Sequence, residues 1–172
     1  VALFDGGGQR ARQLFDVVLE IGLDRLGVEN GLFELLARKN IKALQQYQFH
    51  EIVTTDPHVF NVLENEYPKL GCDLSVSHLT QFLHARLMSL RPMLQKKLGL
   101  TIAYHDPCAL GRGNENHVFE EPRELLRALP GVELVEMPHN RTNSICCGGG
   151  GGGMWLDGFT WELAQSRTTE WR

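Results

Sequence analysis

The chain has 172 residues, 42% hydrophobic and 22% charged, enough apolar material for one globular domain or two small halves and too much for a disordered chain. Its 17 Lys and Arg against 21 Asp and Glu leave a net charge of −4, which argues against a general nucleic-acid binder. Four cysteines are too few for a disulfide scaffold, and the longest apolar stretch, near Phe15–Leu26, is broken by Asp16, Glu20, Asp24 and Arg25, so neither a stapled secreted fold nor a membrane span is expected.

In chain order, Val1 to Phe4 is a short apolar run that stops at Asp5-Gly6-Gly7-Gly8, a plain turn without the spacing of a phosphate loop. Leu14, Val17, Val18 and Ile21 then recur at helical steps, as do Leu32, Leu35, Leu36, Asn40 and Leu44, with Arg38, Lys39 and Lys42 turned to solvent. Glu51-Ile52-Val53-Thr54-Thr55 reads as a buried strand ended by Asp56-Pro57, and a helix follows from His58 to Tyr67. Leu74 to His78 is a short alternating strand, and Thr80 to Leu90 a helix stopped before Pro92, with Lys96-Lys97 a solvated helix end. Leu100 to Tyr104 is a strand running into His105-Asp106-Pro107-Cys108. Pro122 to Ala128 is helical, Val132 to Glu136 is a strand, and a loop leads to Cys146-Cys147, six glycines from Gly148 to Gly153, and a last helix from about Trp155. Such alternation of short strands and helices predicts an α/β architecture with largely parallel strands.

Three features fall at the ends of predicted strands, where α/β folds place their sites: Asp56-Pro57-His58-Val59, His105-Asp106-Pro107-Cys108 and Cys146-Cys147. Adjacent thiols do not normally bridge each other, and thiolates suit soft metals and iron–sulfur clusters. Gly148 and Gly149, directly after the pair, leave room beside the sulfurs and let backbone N–H groups turn toward them. His105 and His58 adjoin these loops and are expected to support ligands by hydrogen bonding rather than to ligate. Cys72 has no partner at metal spacing and reads as an ordinary semi-buried cysteine, while His50, His78, His84, His117 and His139 carry no pattern and read as surface or helix residues.

Cys108 is separated by 37 residues from the Cys146–Cys147 pair, within the ordered run Tyr104 to Arg112, Glu121 to Leu126 and Cys146 to Gly151. This series resembles the second repeat of the cysteine-rich CCG domain of heterodisulfide reductase-like iron–sulfur oxidoreductases. Upstream, Ile52 to Thr55, Pro57-His58, Phe60-Asn61 and Asn65 to Pro68 resemble the end of the first repeat, so the likeness runs from about Leu26 to Trp155.

The resemblance implies two pseudo-repeated Rossmann-like halves with short parallel strands and flanking helices. Residues 1–95 correspond to a first repeat without ligand cysteines, in which Asp56 and Val59 stand where the family has a CPxC, and residues 96–172 to a second repeat that stops before its closing CxxC. It also implies an iron–sulfur cluster of the [4Fe–4S] type, noncubane forms included, held by Cys108, Cys146 and Cys147 with Gly148, Gly149 and His105 beside it. The expected activity is electron transfer in an oxidoreductase, with no catalytic residue assignable. Partners would be a flavoprotein, ferredoxin-like or quinone-linked module, in the cytoplasm or at a membrane through a partner. Two alternatives stay open at this point: a zinc-binding structural domain, and a non-catalytic scaffold whose cysteines bind nothing.

Overall fold

The computed structural model describes residues 2–4, 10–13, 30–150 and 159–170, with side chains from 31–150 and 161–170. The helix expected over Leu14–Ile21 and the glycines beyond Gly150 lie outside the described residues. The chain divides into two compact units, one made of Val1–His78 and Gly149–Trp155, the other of Leu79–Gly148 and Leu156–Arg172.

The first unit is built on a four-stranded sheet. Strands β1 (Ala2–Phe4), β2 (Arg10–Gln13), β3 (Glu51–Thr54) and β4 (Val76–His78) lie in the order β2-β1-β3-β4. β3 and β4 are parallel, pairing Ile52 with Val76 and Thr54 with His78, whereas β1 runs antiparallel to both β2 and β3. The expectation of largely parallel strands therefore holds for the β3–β4 pair and fails at the other edge. Arg10-Ala11-Arg12-Gln13 has too few apolar residues to announce a strand, and a strand added at a sheet edge needs only backbone partners.

Helix α1 (Asn30–Leu44) buries Ala37, Asn40, Ile41 and Leu44, a stripe at three- and four-residue steps. Leu32 and Leu35, expected on the inner face, are 43% and 66% exposed, because at 3.6 residues per turn Leu35 falls opposite Ala37. Helix α2 (Pro57–Asn65) begins with Pro at its first turn, where no amide hydrogen is needed, and buries Val59 to Leu63. The resulting core joins Ile52, Val59, Val62, Leu63 and Tyr67 to the stripe of α1. Cys72, also there, is buried as a small hydrophobe. His78 is buried too, contrary to its expected surface placement: it ends β4, and its Nε2–H donates to the Thr55 carbonyl at 3.2 Å.

In the second unit, the single helix expected over Thr80–Leu90 is two, α3 (Leu79–His84) and α4 (Leu87–Leu90), followed by a 3₁₀ turn at Arg91–Met93. Arg86 breaks the run with φ −106° and ψ 6°. Lys96 and Lys97 lie in an irregular exposed stretch rather than at a helix end. Strand β5 (Leu100–Ala103) pairs in parallel with β6 (Val132–Val135), and between them runs helix α5 (Glu120–Ala128), a β-α-β crossover. Helix α6 (Phe159–Thr169) closes the described chain and buries Arg167, whose guanidinium reaches Glu170 and the Met137 sulfur. The molecule is thus mixed α/β, with a parallel two-strand pair in each unit and helices flanking them.

Candidate thiol site and its buried charge network

β5 delivers Tyr104 to Cys108 to its carboxyl end, the edge at which parallel α/β sheets carry their sites. After Cys108 the backbone turns tightly: the Gly111 amide donates to the Pro107 carbonyl at 3.0 Å and the Gly113 amide to the Cys108 carbonyl at 2.7 Å. Gly111 is required there, since a Cβ would stand 2.2 Å from Cε1 of Phe119. Leu110 and Val118, each 1% exposed, anchor the two ends of this turn in the interior.

Cys108 and Cys146 are half-buried and Cys147 is exposed. Cys146, and after it Cys147, act electrostatically on the Cys108 thiol. Burial first, then the neighbouring Cys146 sulfur, push the Cys108 thiol up; Arg112 opposes them. Gly148 sits at φ 77°, a left-handed conformation natural to glycine, and its amide donates to Cys146 Sγ at 3.5 Å. Among the described residues no three His, Cys, Asp or Glu side chains already form a metal cage.

The most buried group beside these loops is a charge. Arg123, on α5, is 0% exposed, and Asp106 is 1% exposed. The guanidinium grips both oxygens of Asp106, Nη1 to Oδ1 and Nη2 to Oδ2, each at 2.7 Å. It also donates to both oxygens of Glu136, at 2.8 and 2.9 Å, and to the Phe119 carbonyl at 2.6 Å. This forked geometry is what arginine's planar donors allow and an ammonium does not. Burial alone would raise the Asp106 carboxyl, but the bonds from Arg123 and from the Arg141 amide outweigh it and hold the carboxyl below its ordinary value. Glu136 is lowered chiefly by its hydrogen bonds to Arg123.

Asp106 also receives the segment leading to Cys146. The Arg141 amide donates to its Oδ2 at 2.7 Å, and the Ser144 hydroxyl to its carbonyl at 3.1 Å. Arg141 adopts φ 52°, a strained backbone for a residue with a side chain. His105 Nδ1 is buried without a hydrogen-bond partner, and burial first, then the charge of Arg167, lowers its pKa. Gly149 is exposed, with open space where a side chain would be.

In the first unit, Asp56, which stands where the family would have a thiol, caps α2: its Oδ1 accepts from the amides of His58 and Val59 at 2.7 and 2.9 Å. Within that same unit a Cβ on Gly150 would stand 2.6 Å from His58 Nε2. Sequence reasoning placed Arg123 within a familiar run but gave it no task, and passed over Glu136, Arg141 and Ser144. The available signal was an arginine next to Pro122 on a helix otherwise facing inward with Leu125 and Leu126, which demands a buried anion.

A strand-end thiol, a distant thiol pair and a glycine behind it define a cysteine-rich α/β domain, and the CCG family, a cysteine-rich domain, matches residues 102–172. The chain therefore carries a CCG cysteine-rich domain and is related to heterodisulfide reductases and to iron–sulfur oxidoreductases. It is 44% identical over 133 residues to the probable iron-sulfur-binding oxidoreductase FadF of Bacillus subtilis, covering 77% of this chain and 18% of that protein. With the EtfAB:quinone oxidoreductase of Syntrophomonas wolfei it shares 38% over 136 residues, 77% of this chain and 18% of the relative. One component of the dihydromethanophenazine:CoB–CoM heterodisulfide reductase of Methanosarcina barkeri is 38% identical over 115 residues, 65% of this chain and 28% of the relative. The chain spans about a fifth of the length of the first two. No solved structure matches it. Among the described residues no helix is long and apolar enough to cross a membrane.

Proposed function

We propose that the second unit is an iron–sulfur electron-transfer domain of a heterodisulfide reductase-like oxidoreductase, with Cys108, Cys146 and Cys147 as thiolate ligands. The observation that carries this reading is Cys108 just past the carboxyl end of β5, with the Gly148 amide on the Cys146 sulfur. The donor set suits such a group: thiolates are soft ligands, and the N–H···S bond to Cys146 stabilises thiolate charge. When bound, an iron–sulfur cluster of the [4Fe–4S] type, cubane or noncubane, supplies one-electron transfer. Cys108 and Cys146 would each supply a half-buried sulfur and Cys147 an exposed one, with Gly148 leaving no side chain directly after the pair. His105, beside this loop, would support a ligand by hydrogen bonding from its buried, unpartnered Nδ1. The remaining residues, 1–95, form a companion half of the same Rossmann-like repeat in which Asp56 replaces a thiol and serves as a helix cap, and residues 96–172 form the repeat that binds.

Redox proteins are the proposed partners, among them flavoprotein, ferredoxin-like and quinone-linked modules, a proposal supported by a relative named as an EtfAB:quinone oxidoreductase. The cytoplasm, or a membrane reached through such a partner, is the proposed location. Anaerobic reconstitution with iron and sulfide tests the reading. A brown protein with iron and acid-labile sulfide in similar amounts, lost in Cys146→Ser, is the expected result. A colourless protein holding stoichiometric zinc would instead establish a tetrahedral structural site.

A further inference from the structure

The buried charge network touches both cysteine-bearing segments and contains no thiol. Asp106 lies two residues before Cys108. Its carboxylate and carbonyl take the Arg141 amide and the Ser144 hydroxyl from the segment that ends at Cys146. Arg123 locks that carboxylate from α5 and, through Glu136, ties it to the end of β6, where the same segment begins. Arg141 is held in a left-handed conformation while its amide bonds Asp106. A buried ion pair adds little net stability over apolar residues of the same size, so stability is a poor reason to bury Arg123 with Asp106 here. What the network does supply is a fixed distance between two loops.

We propose that Arg123, with Asp106 and Glu136, is a positioning clamp that sets the Cys108 and Cys146 loops in register before any metal is bound. The proposal rests on the thiol-site reading, and its test separates the two. Arg123→Lys retains a cation but cannot fork onto two carboxylates, and Glu136→Gln removes one carboxylate from the partly exposed side.

Both variants, made in the full 172-residue chain, are compared with the parent in two assays, with far-ultraviolet circular dichroism reporting the fold. Anaerobic titration with Co²⁺, followed by sulfur-to-cobalt charge-transfer absorption, reports metal affinity. In the metal-free chain, diamide drives disulfide closure between Cys108 and Cys146: the two thiols lose two electrons and two protons, the S–S bond forms, and diamide is reduced to its hydrazine. Peptide mass mapping follows the rate.

The clamp predicts cobalt affinity about 10–100-fold weaker in Arg123→Lys, with a smaller loss in Glu136→Gln, and slower closure in both while helix content is kept. Normally folded variants that keep parental affinity and closure rate within about twofold would overturn it, since the measured cost of losing outer contacts is at least about tenfold. If Arg123→Lys fails to fold, Glu136→Gln decides. A parent chain that binds neither cobalt nor iron, yet closes its disulfide faster than the variants, would sink the metal reading and leave the clamp standing. Metal binding that is equal in parent and variants would do the reverse.

Discussion

Replacing Arg123 by Met gives the sharpest test of the energetics. The methionine keeps most of the aliphatic volume, so the loss is electrostatic rather than a cavity. Both partners are buried, with side-chain exposures of 0% for Arg123 and 2% for Asp106, so Asp106 is left as an unpaired interior carboxylate. Breaking a buried pair in this way costs about 3–5 kcal/mol. Against a total stability of about 5–15 kcal/mol this is a large fraction. With a urea dependence of about 1–2 kcal/mol per molar for a small unit, the unfolding midpoint should fall by roughly 1.5–5 M.

The pH dependence supplies a second, independent sign. In the parent, Asp106 and Glu136 sit below their ordinary values, so their contribution is complete above about pH 4 and is lost as pH falls through the lowered values. In Arg123→Met, burial is the dominant influence left on Asp106 and raises it, so the folded variant takes up a proton before the unfolded chain does. The variant then regains stability on acidification, and the gap between the two chains narrows from neutral pH toward about pH 4. Urea titrations by circular dichroism at several pH values measure both effects. A midpoint shift worth less than about 1 kcal/mol, with a pH-independent gap, would refute the buried-pair reasoning.

Other expected outcomes are simpler. Gly111→Ala should cost about 1–3 kcal/mol in thermal or urea unfolding, because its Cβ would meet the Phe119 ring at 2.2 Å and the buried turn must shift. Asp56→Ala removes the cap that accepts two amides at the start of α2 and should cost about 1 kcal/mol, whereas Asp56→Asn should cost little. Tyr104, raised to about 12 mainly by burial and next by the Asp106 charge, should be among the last phenols to ionise in a spectrophotometric alkaline titration, and Tyr104→Phe should remove that late step. Cys108→Ser, like Cys146→Ser, should abolish iron uptake on reconstitution, while Cys72→Ser, a change in the first unit's core, should leave the iron content unaltered.

The strands that flank the site were legible because each is a short apolar run ending in a turn residue: Ile52 to Thr54 before Asp56-Pro57, and Leu100 to Ala103 before His105-Asp106-Pro107. The thiols were legible through their spacing and the glycine behind them. Less could be read where tertiary contacts decide. The α1 face turned by about half a circumference from Leu35 to Ala37, a choice made by the partner surface rather than by the count of leucines. Strand β2 has few apolar residues to announce it, and it pairs with β1 through the backbone. His78 is buried by the strand that carries it, although nothing in its local sequence distinguishes it from exposed histidines. The Asp106–Arg123–Glu136 network escaped notice for a related reason: sequence shows charges one at a time, and only the crossover from β5 through α5 to β6 brings them together.

That network also lies within one continuous stretch of the chain. Its bonds join residues 13, 17, 35 and 38 positions apart, all between Asp106 and Ser144. Closure entropy grows only slowly with loop length, each doubling adding about 0.6 kcal/mol. During synthesis, the Cys108 and Cys146 segments can be drawn together as soon as residues up to Ser144 have emerged and the β-α-β crossover has closed. If the clamp acts as proposed, a network confined to residues 106–144 holds the two cysteine-bearing segments in place before any metal is bound.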